Sequence, residues 1–132
     1  MTLWSDFHTN DKRIIHKWMH YFPAYEQHFQ RYINRSMVFW EIGCGEGGSL
    51  QMWKRFFGPH ARIVGLDIRP ECMEFEENQI SVRIGDQSAP FCGISAKVFE
   101  HSTHHVCGQT SRFAYASRGP CGLATLPLLL PF

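Results

Sequence analysis

The sequence predicts an α/β fold in which N-terminal helices precede an incomplete, doubly wound βαβ core built on a parallel sheet. Three observations carry that expectation. Met37-Val38-Phe39-Trp40-Glu41-Ile42, Ala61-Arg62-Ile63-Val64-Gly65-Leu66 and Ile80 to Ile84 are short β-prone runs of the length that buried strands have. A glycine-rich turn, Gly43-Cys44-Gly45-Glu46-Gly47-Gly48, follows the first run and opens a helix-compatible segment from Ser49 to Phe57. The second run ends at Asp67 and the third at Gly85-Asp86. Strand, turn, helix and strand in that order make a βαβ unit, whose two strands lie parallel.

Residues 1–35 read as a helical cap. Asp11 is placed to cap a helix whose apolar stripe is Ile14, Ile15, Trp18, Met19 and Phe22, at three- and four-residue spacing. Pro23 should interrupt it. Tyr25, Phe29 and Tyr32 at i, i+4 and i+7 predict a second helix. At this spacing Trp18, Phe22, Tyr25 and Phe29, together with Trp53, belong to a core rather than to an aromatic binding face. Residues 36–90 hold the βαβ core; Gly58-Pro59 stops its helix, and Lys54 and Arg55 read as the solvated face of that helix.

Residues 91–132 form an irregular, low-charge segment. Asp, Glu, Lys and Arg supply 21 of the first 90 residues but only four of the last 42, and Ser, Thr, His, Gly and Cys follow one another there without helical or strand period. A sheet ending at three strands would leave cap aromatics partly uncovered, which favours association into a homo-oligomer.

With 44% hydrophobic and 19% charged residues in 132, the chain has the composition of one small globular domain. A net charge of +1 gives no bulk attraction to nucleic acid or to an anionic membrane, so neither is an expected partner. Five cysteines without a CxxC pair, and no N-terminal signal pattern, point to free thiols in a reducing cytoplasm. The longest apolar stretch, Leu126 to Phe132, is interrupted by Pro127 and Pro131 and falls far short of the roughly 20 residues a membrane-spanning helix needs.

Gly43-x-Gly45-x-x-Gly48 fits the dinucleotide-binding pattern, and Asp67 lies 19 residues beyond Gly48, where an acid can reach ribose hydroxyls. Glycines suit such a turn because the backbone must bend sharply and come close to a ligand. Glu41, two residues before Gly43, would repel a pyrophosphate and favour a ligand carrying an ammonium group, met directly or through water. The other use for Glu41 is a salt bridge inside the protein. A nucleotide-binding oxidoreductase fragment of the NAD type therefore stays as an alternative, as does a non-catalytic remnant acting only as an interaction module.

Glu41-Ile42-Gly43-x-Gly45-x-x-Gly48-Ser49-Leu50, followed by Met52-Trp53-Lys54-x-Phe56-Phe57-Gly58-Pro59-x-Ala61-x-Ile63-Val64-Gly65-Leu66-Asp67-Ile68, resembles the class I S-adenosylmethionine-dependent methyltransferases. Within them it is most similar to the bacterial macrolide O-methyltransferase and cephalosporin hydroxylase branch. Asp11-Lys12, His16 and Gly85-Asp86-Gln87-Ser88 share the likeness, which covers about residues 8 to 90. The resemblance implies a Rossmann-like sheet and S-adenosylmethionine as cofactor. Gly43 and Gly45 would line the methionine moiety and Asp67 would accept both ribose hydroxyls; the ammonium that the charge of Glu41 favours would then be the methionine's. Asp86 would take the adenine amino group, with Gln87 beside it. The expected reaction is O-methylation of a small-molecule or natural-product acceptor.

In that branch a further strand carries an Asp-Asp-Gly-x-His-like segment that binds a divalent metal and orients the acceptor. This sequence has no such segment, so the catalytic residues stay unassigned, no residue is expected to ligate a metal, and the expectation is a chain truncated or frame-altered after about residue 90. His101, His104, His105 and Cys107 would share a face only if their segment were helical. His16 and His20 are four apart, but Lys17 stands where a zinc-protease helix needs Glu.

Overall fold

In a computed structural model of the chain, residues 2–86, 104–109 and 114–118 are described. The three expected strands form: β1 (Met37–Ile42), β2 (Ala61–Asp67) and β3 (Ile80–Ile84). β1 pairs parallel with β2, Glu41 opposite Gly65, and β2 pairs parallel with β3, Asp67 opposite Ile84. Period-two alternation puts Met37 and Phe39 in the main core, while Val38 and Trp40 join Val64 in a separate buried cluster.

Between β1 and β2 runs the expected helix, here labelled by its range Gly48–Phe57. It starts after Gly47 and stops at Gly58, both with positive φ (74° and 84°), a backbone geometry glycine adopts without a Cβ penalty. Leu50, Trp53 and Phe57, spaced three and four apart, are fully buried against β1 and β2. Phe29, Phe39, Trp53 and Phe57 stack and tilt on one another with centroids 4.7 to 6.2 Å apart.

Two further strands correct the reading of residues 91–132 as wholly irregular. β4 (His104–Gln109) lies parallel to β1 and β5 (Ala114–Arg118) antiparallel to β4, giving the order β3-β2-β1-β4-β5. What places β4 is the free edge of β1, whose N–H and C=O groups need partners. A run such as His-His-Val-Cys-Gly-Gln has no alternation from which a strand could be read.

The N-terminal region differs most from expectation. The helix over Asp11 to Phe22 does not form. Instead α1 (Leu3–His8) is capped by a reciprocal Thr2–Ser5 box, the chain from 10 to 18 runs without helix, a tight 3-10 turn occupies Met19–Tyr21, and α2 is Phe22–Phe29. With the N-terminal pair labelled so, Gly48–Phe57 is α3. Pro23 sits in the first turn of α2 and starts that helix rather than breaking one. Trp18 is 64% exposed, as are Ile14 (60%) and Met19 (63%), so the supposed stripe is no core; Phe22, Tyr25, Phe29 and Trp53 are. Tertiary contacts override the helical spacing here. A Cβ on Gly48 would fall 2.3 Å from the Arg13 carbonyl oxygen and 2.4 Å from that of Ile14, so segment 10–18 lies directly on the start of α3.

Lys54, half-buried, and Arg55, exposed, lie on the outer face of α3 as expected, and both are also paired. Arg55 makes two bonds to Asp6 (Nε to Oδ1 2.6 Å, Nη2 to Oδ2 2.7 Å), tying α1 to α3, and Lys54 Nζ bonds Glu77 Oε1 at 2.9 Å. Among the described residues no helix is long and apolar enough to cross a membrane.

Candidate donor-binding site

At the carboxyl end of β1 the chain turns through Gly43 (φ 85°), Gly45 (φ 56°) and Gly47 (φ 74°). The Gly43 amide still donates to the Leu66 carbonyl (2.7 Å), which continues the β1–β2 ladder, and the Gly47 amide donates to the Cys44 carbonyl (2.9 Å), which closes the turn. On one side the loop is packed tight: a Cβ on Gly47 would lie 2.6 Å from the Phe75 ring. Above Gly45 there is room, since among the described residues the nearest atom to a Cβ there is His16 Cδ2 at 3.9 Å. That opening is a cradle of the kind a ligand approaching bare backbone requires.

Asp67 closes the cradle from the neighbouring strand end. Its Oδ2 accepts from the Cys44 amide (2.8 Å), and its Oδ1 accepts from the Arg69 amide (3.0 Å) and more weakly from Arg69 Nε (3.4 Å). Burial by itself would raise the Asp67 pKa; the two backbone N–H bonds and the Arg69 guanidinium outweigh it and hold the carboxyl below its ordinary value. The Arg69 guanidinium also bonds the Gly45 carbonyl, reaches Cys72 Sγ at 3.5 Å and lies 3.9 Å from Glu46. Asp86 follows immediately after the Gly85 amide, which donates to the Asp67 carbonyl (2.9 Å), so the ends of β2 and β3 bring both acids to one edge of the sheet. Exposed Ile68 and Ile84 adjoin them with apolar surface.

Glu41 corrects the sequence reading. It is fully buried, and both oxygens are occupied: Oε1 by Lys17 Nζ (2.5 Å) and Trp53 Nε1 (3.2 Å), Oε2 by Ser49 Oγ (2.7 Å). The Lys17 side chain is 1% exposed, and its Nζ lies 5.7 Å from the Trp53 ring centre and 5.9 Å from that of Tyr25. A buried carboxylate requires a partner, and the chain supplies its own ammonium where a ligand's was expected. Paired with Lys17, Glu41 presents no net charge to repel a pyrophosphate. Burial, then Glu41, push the Tyr25 hydroxyl pKa upward, and burial with Glu41 and Asp67 does the same to the Cys44 thiol.

The structure thus gathers Gly43, Gly45, Asp67 and Asp86, sets His16 beside them, and withdraws Glu41; Gln87 lies outside the described residues. The helical condition for a His104, His105 and Cys107 cluster fails because the segment is a strand, and His101 lies outside the described residues. No group of three or more His, Cys, Asp or Glu able to hold a metal occurs among the described residues. An open groove of about 430 Å³ flanks the loop between Arg13, Ile14, Glu46 and Phe75, with Arg13 stacked over Phe75 at 5.0 Å. Lys17 and Arg69 escaped the sequence reading. Lys17 gave no signal, whereas Arg69, two residues past a strand-end acid, could have been noticed as its partner.

No protein-family model matches the chain. Over 86 residues it is 42% identical to demethylmacrocin O-methyltransferase of Streptomyces fradiae, covering 58% of this chain and 21% of that protein. Over 90 residues it is 38% identical to 8-demethyl-8-alpha-L-rhamnosyl tetracenomycin-C 2'-O-methyltransferase of Streptomyces olivaceus, covering 63% and 22%. The chain resembles macrolide and polyketide O-methyltransferases. A solved methyltransferase from the mycinamycin biosynthetic pathway, in complex with Mg, SAH (S-adenosylhomocysteine) and mycinamycin VI, matches at 37% identity with a TM-score of 0.50, covering 64% of this chain and 22% of that one. The chain spans about a fifth of the length of the curated O-methyltransferases it matches.

Proposed function

We propose that this chain binds S-adenosylmethionine and forms the donor-binding part of an O-methyltransferase acting, in the cytoplasm, on a natural-product acceptor. The observation that carries the reading is the coupling of an open glycine turn to a strand-end acid, through the Cys44 amide bonded to Asp67. Similarity to O-methyltransferases, one of them solved with SAH, supports the choice of donor over a dinucleotide. Gly43 and Gly45 receive the methionine part, Asp67 the ribose hydroxyls, and Asp86 with Gln87 the adenine edge, against the apolar surface of Ile68. Glu41 serves by fixing Lys17, and through it segment 10–18, over the loop. The cofactor, when bound, supplies the sulfonium methyl group. The chain's own contribution is to orient it, which is most of what an in-line transfer needs from the donor side.

Asp67→Ala tests the assignment by calorimetric titration with SAH. Binding should be lost. Because Asp67 also holds two backbone amides, Asp67→Asn is measured beside it; this variant keeps the side-chain shape and should still weaken SAH by roughly tenfold or more, in line with loss of a charge-assisted acceptor. Unaltered affinity in both variants would remove Asp67 from the site.

A further inference from the structure

The bonds on Asp67 do not leave room for the ligand it is assigned. Each carboxylate oxygen has two lone pairs. Oδ2 spends one on the Cys44 amide and has one left for a ribose hydroxyl. Oδ1 is filled, by the Arg69 amide at 3.0 Å and by Arg69 Nε at 3.4 Å. A vicinal diol seeks one acceptor on each oxygen, so one contact on Oδ1 must yield. The amide is fixed by the backbone; the guanidinium is at the end of a flexible side chain, 48% exposed, and its bond is the long one. The same guanidinium spans to the Gly45 carbonyl and Cys72 Sγ, and so lies across the mouth of the cradle, between glycine turn and strand-end acid.

We infer that Arg69 is an internal competitor for the donor site: its side chain stands in for one ribose hydroxyl on Asp67, must swing off Oδ1 and the Gly45 carbonyl when the donor binds, and thereby sets donor affinity. The inference rests on the donor-binding reading proposed above. Lys17 on Glu41 is the contrasting case. With its side chain only 1% exposed, it stays in place, whereas Arg69 has solvent and the nearby Glu46 to turn to. The cost of releasing Arg69 is that of an exposed ion pair, which corresponds to roughly a two- to fivefold factor in affinity.

The test is calorimetric titration of the full chain and of Arg69→Met, which keeps an unbranched stem but donates nothing, using SAH and an SAH analogue lacking one ribose hydroxyl. The expected result is roughly two- to fivefold tighter SAH binding by Arg69→Met, with little or no gain for the analogue, whose single hydroxyl is served by Oδ2. A circular dichroism melt of both proteins separates this from a change in folding. Equal SAH affinity in the two proteins, weaker binding by Arg69→Met, or an equal gain for both ligands would overturn the competitor role while leaving the donor site standing. Absence of SAH binding by both folded proteins would instead overturn the donor-binding reading and the inference with it.

Discussion

Replacing Lys17 by Met removes one member of an ion pair whose side chains are 1% and 0% exposed. Glu41 keeps two neutral donors, Ser49 Oγ at 2.7 Å and Trp53 Nε1 at 3.2 Å, but no counter-charge. Breaking a buried pair from one side costs about 3 to 5 kcal/mol, and the two surviving hydrogen bonds put this case near 3. With about 2.1 cal/mol/K of unfolding entropy per residue, the 132-residue chain should then melt roughly 11 °C lower. Removing both charges, as Lys17→Met with Glu41→Gln, leaves no unpaired charge and should restore more than half of the loss. Urea unfolding followed by tryptophan fluorescence measures each variant and closes the cycle. A loss under about 1 kcal/mol for Lys17→Met, the range of an exposed pair, would refute the claim that Lys17 pins segment 10–18 over the glycine turn.

Other consequences are open to the same methods. Asp67 and Glu77 both have pKa values held below the ordinary ones, so the stability they add is present above about pH 4 and is lost as pH falls through their lowered folded values; Asp67→Asn should flatten the fall in urea midpoint between pH 5 and 2. Gly65→Ala would set a Cβ 2.4 Å from Cys44 Sγ and should cost about 1 to 3 kcal/mol, partly recovered by adding Cys44→Ala; no recovery in thermal melts would locate the strain elsewhere. Arg55→Ala breaks the two-pronged bond to Asp6 and should speed proteolytic release of α1 with a stability loss of about 1 to 2 kcal/mol, read by limited digestion and melting.

The parallel core was legible because each of its parts states itself locally. β1, β2, β3 and α3 lie where apolar runs and glycine stops put them, since a strand buried on both faces must be apolar throughout and a helix cannot pass Gly58-Pro59. The acids Asp67 and Asp86 were legible for the same reason, as the residues that end those runs. The cap was not. Ile14, Trp18 and Met19 have helical spacing, but the Arg13 and Ile14 backbone packs against Gly48, where no Cβ intervenes, and Lys17 bonds Glu41, and these contacts across more than 20 residues hold the segment out of a helix. β4 was hidden too, because its place depends on the edge of β1 rather than on its own pattern. Glu41 was seen as functional on charge alone; which cation would meet it depended on a lysine 24 positions upstream.

The central claim is that this chain holds a site for S-adenosylmethionine, and a thermal melt with SAH, with NAD as the control ligand, tests it most directly. At a hundredfold excess over the dissociation constant, binding should stabilise the chain by about 2.7 kcal/mol, which for this length is a rise of roughly 10 °C. NAD at the same concentration should leave the melt where it was. A rise with NAD and none with SAH would contradict the account and assign the glycine turn to a dinucleotide.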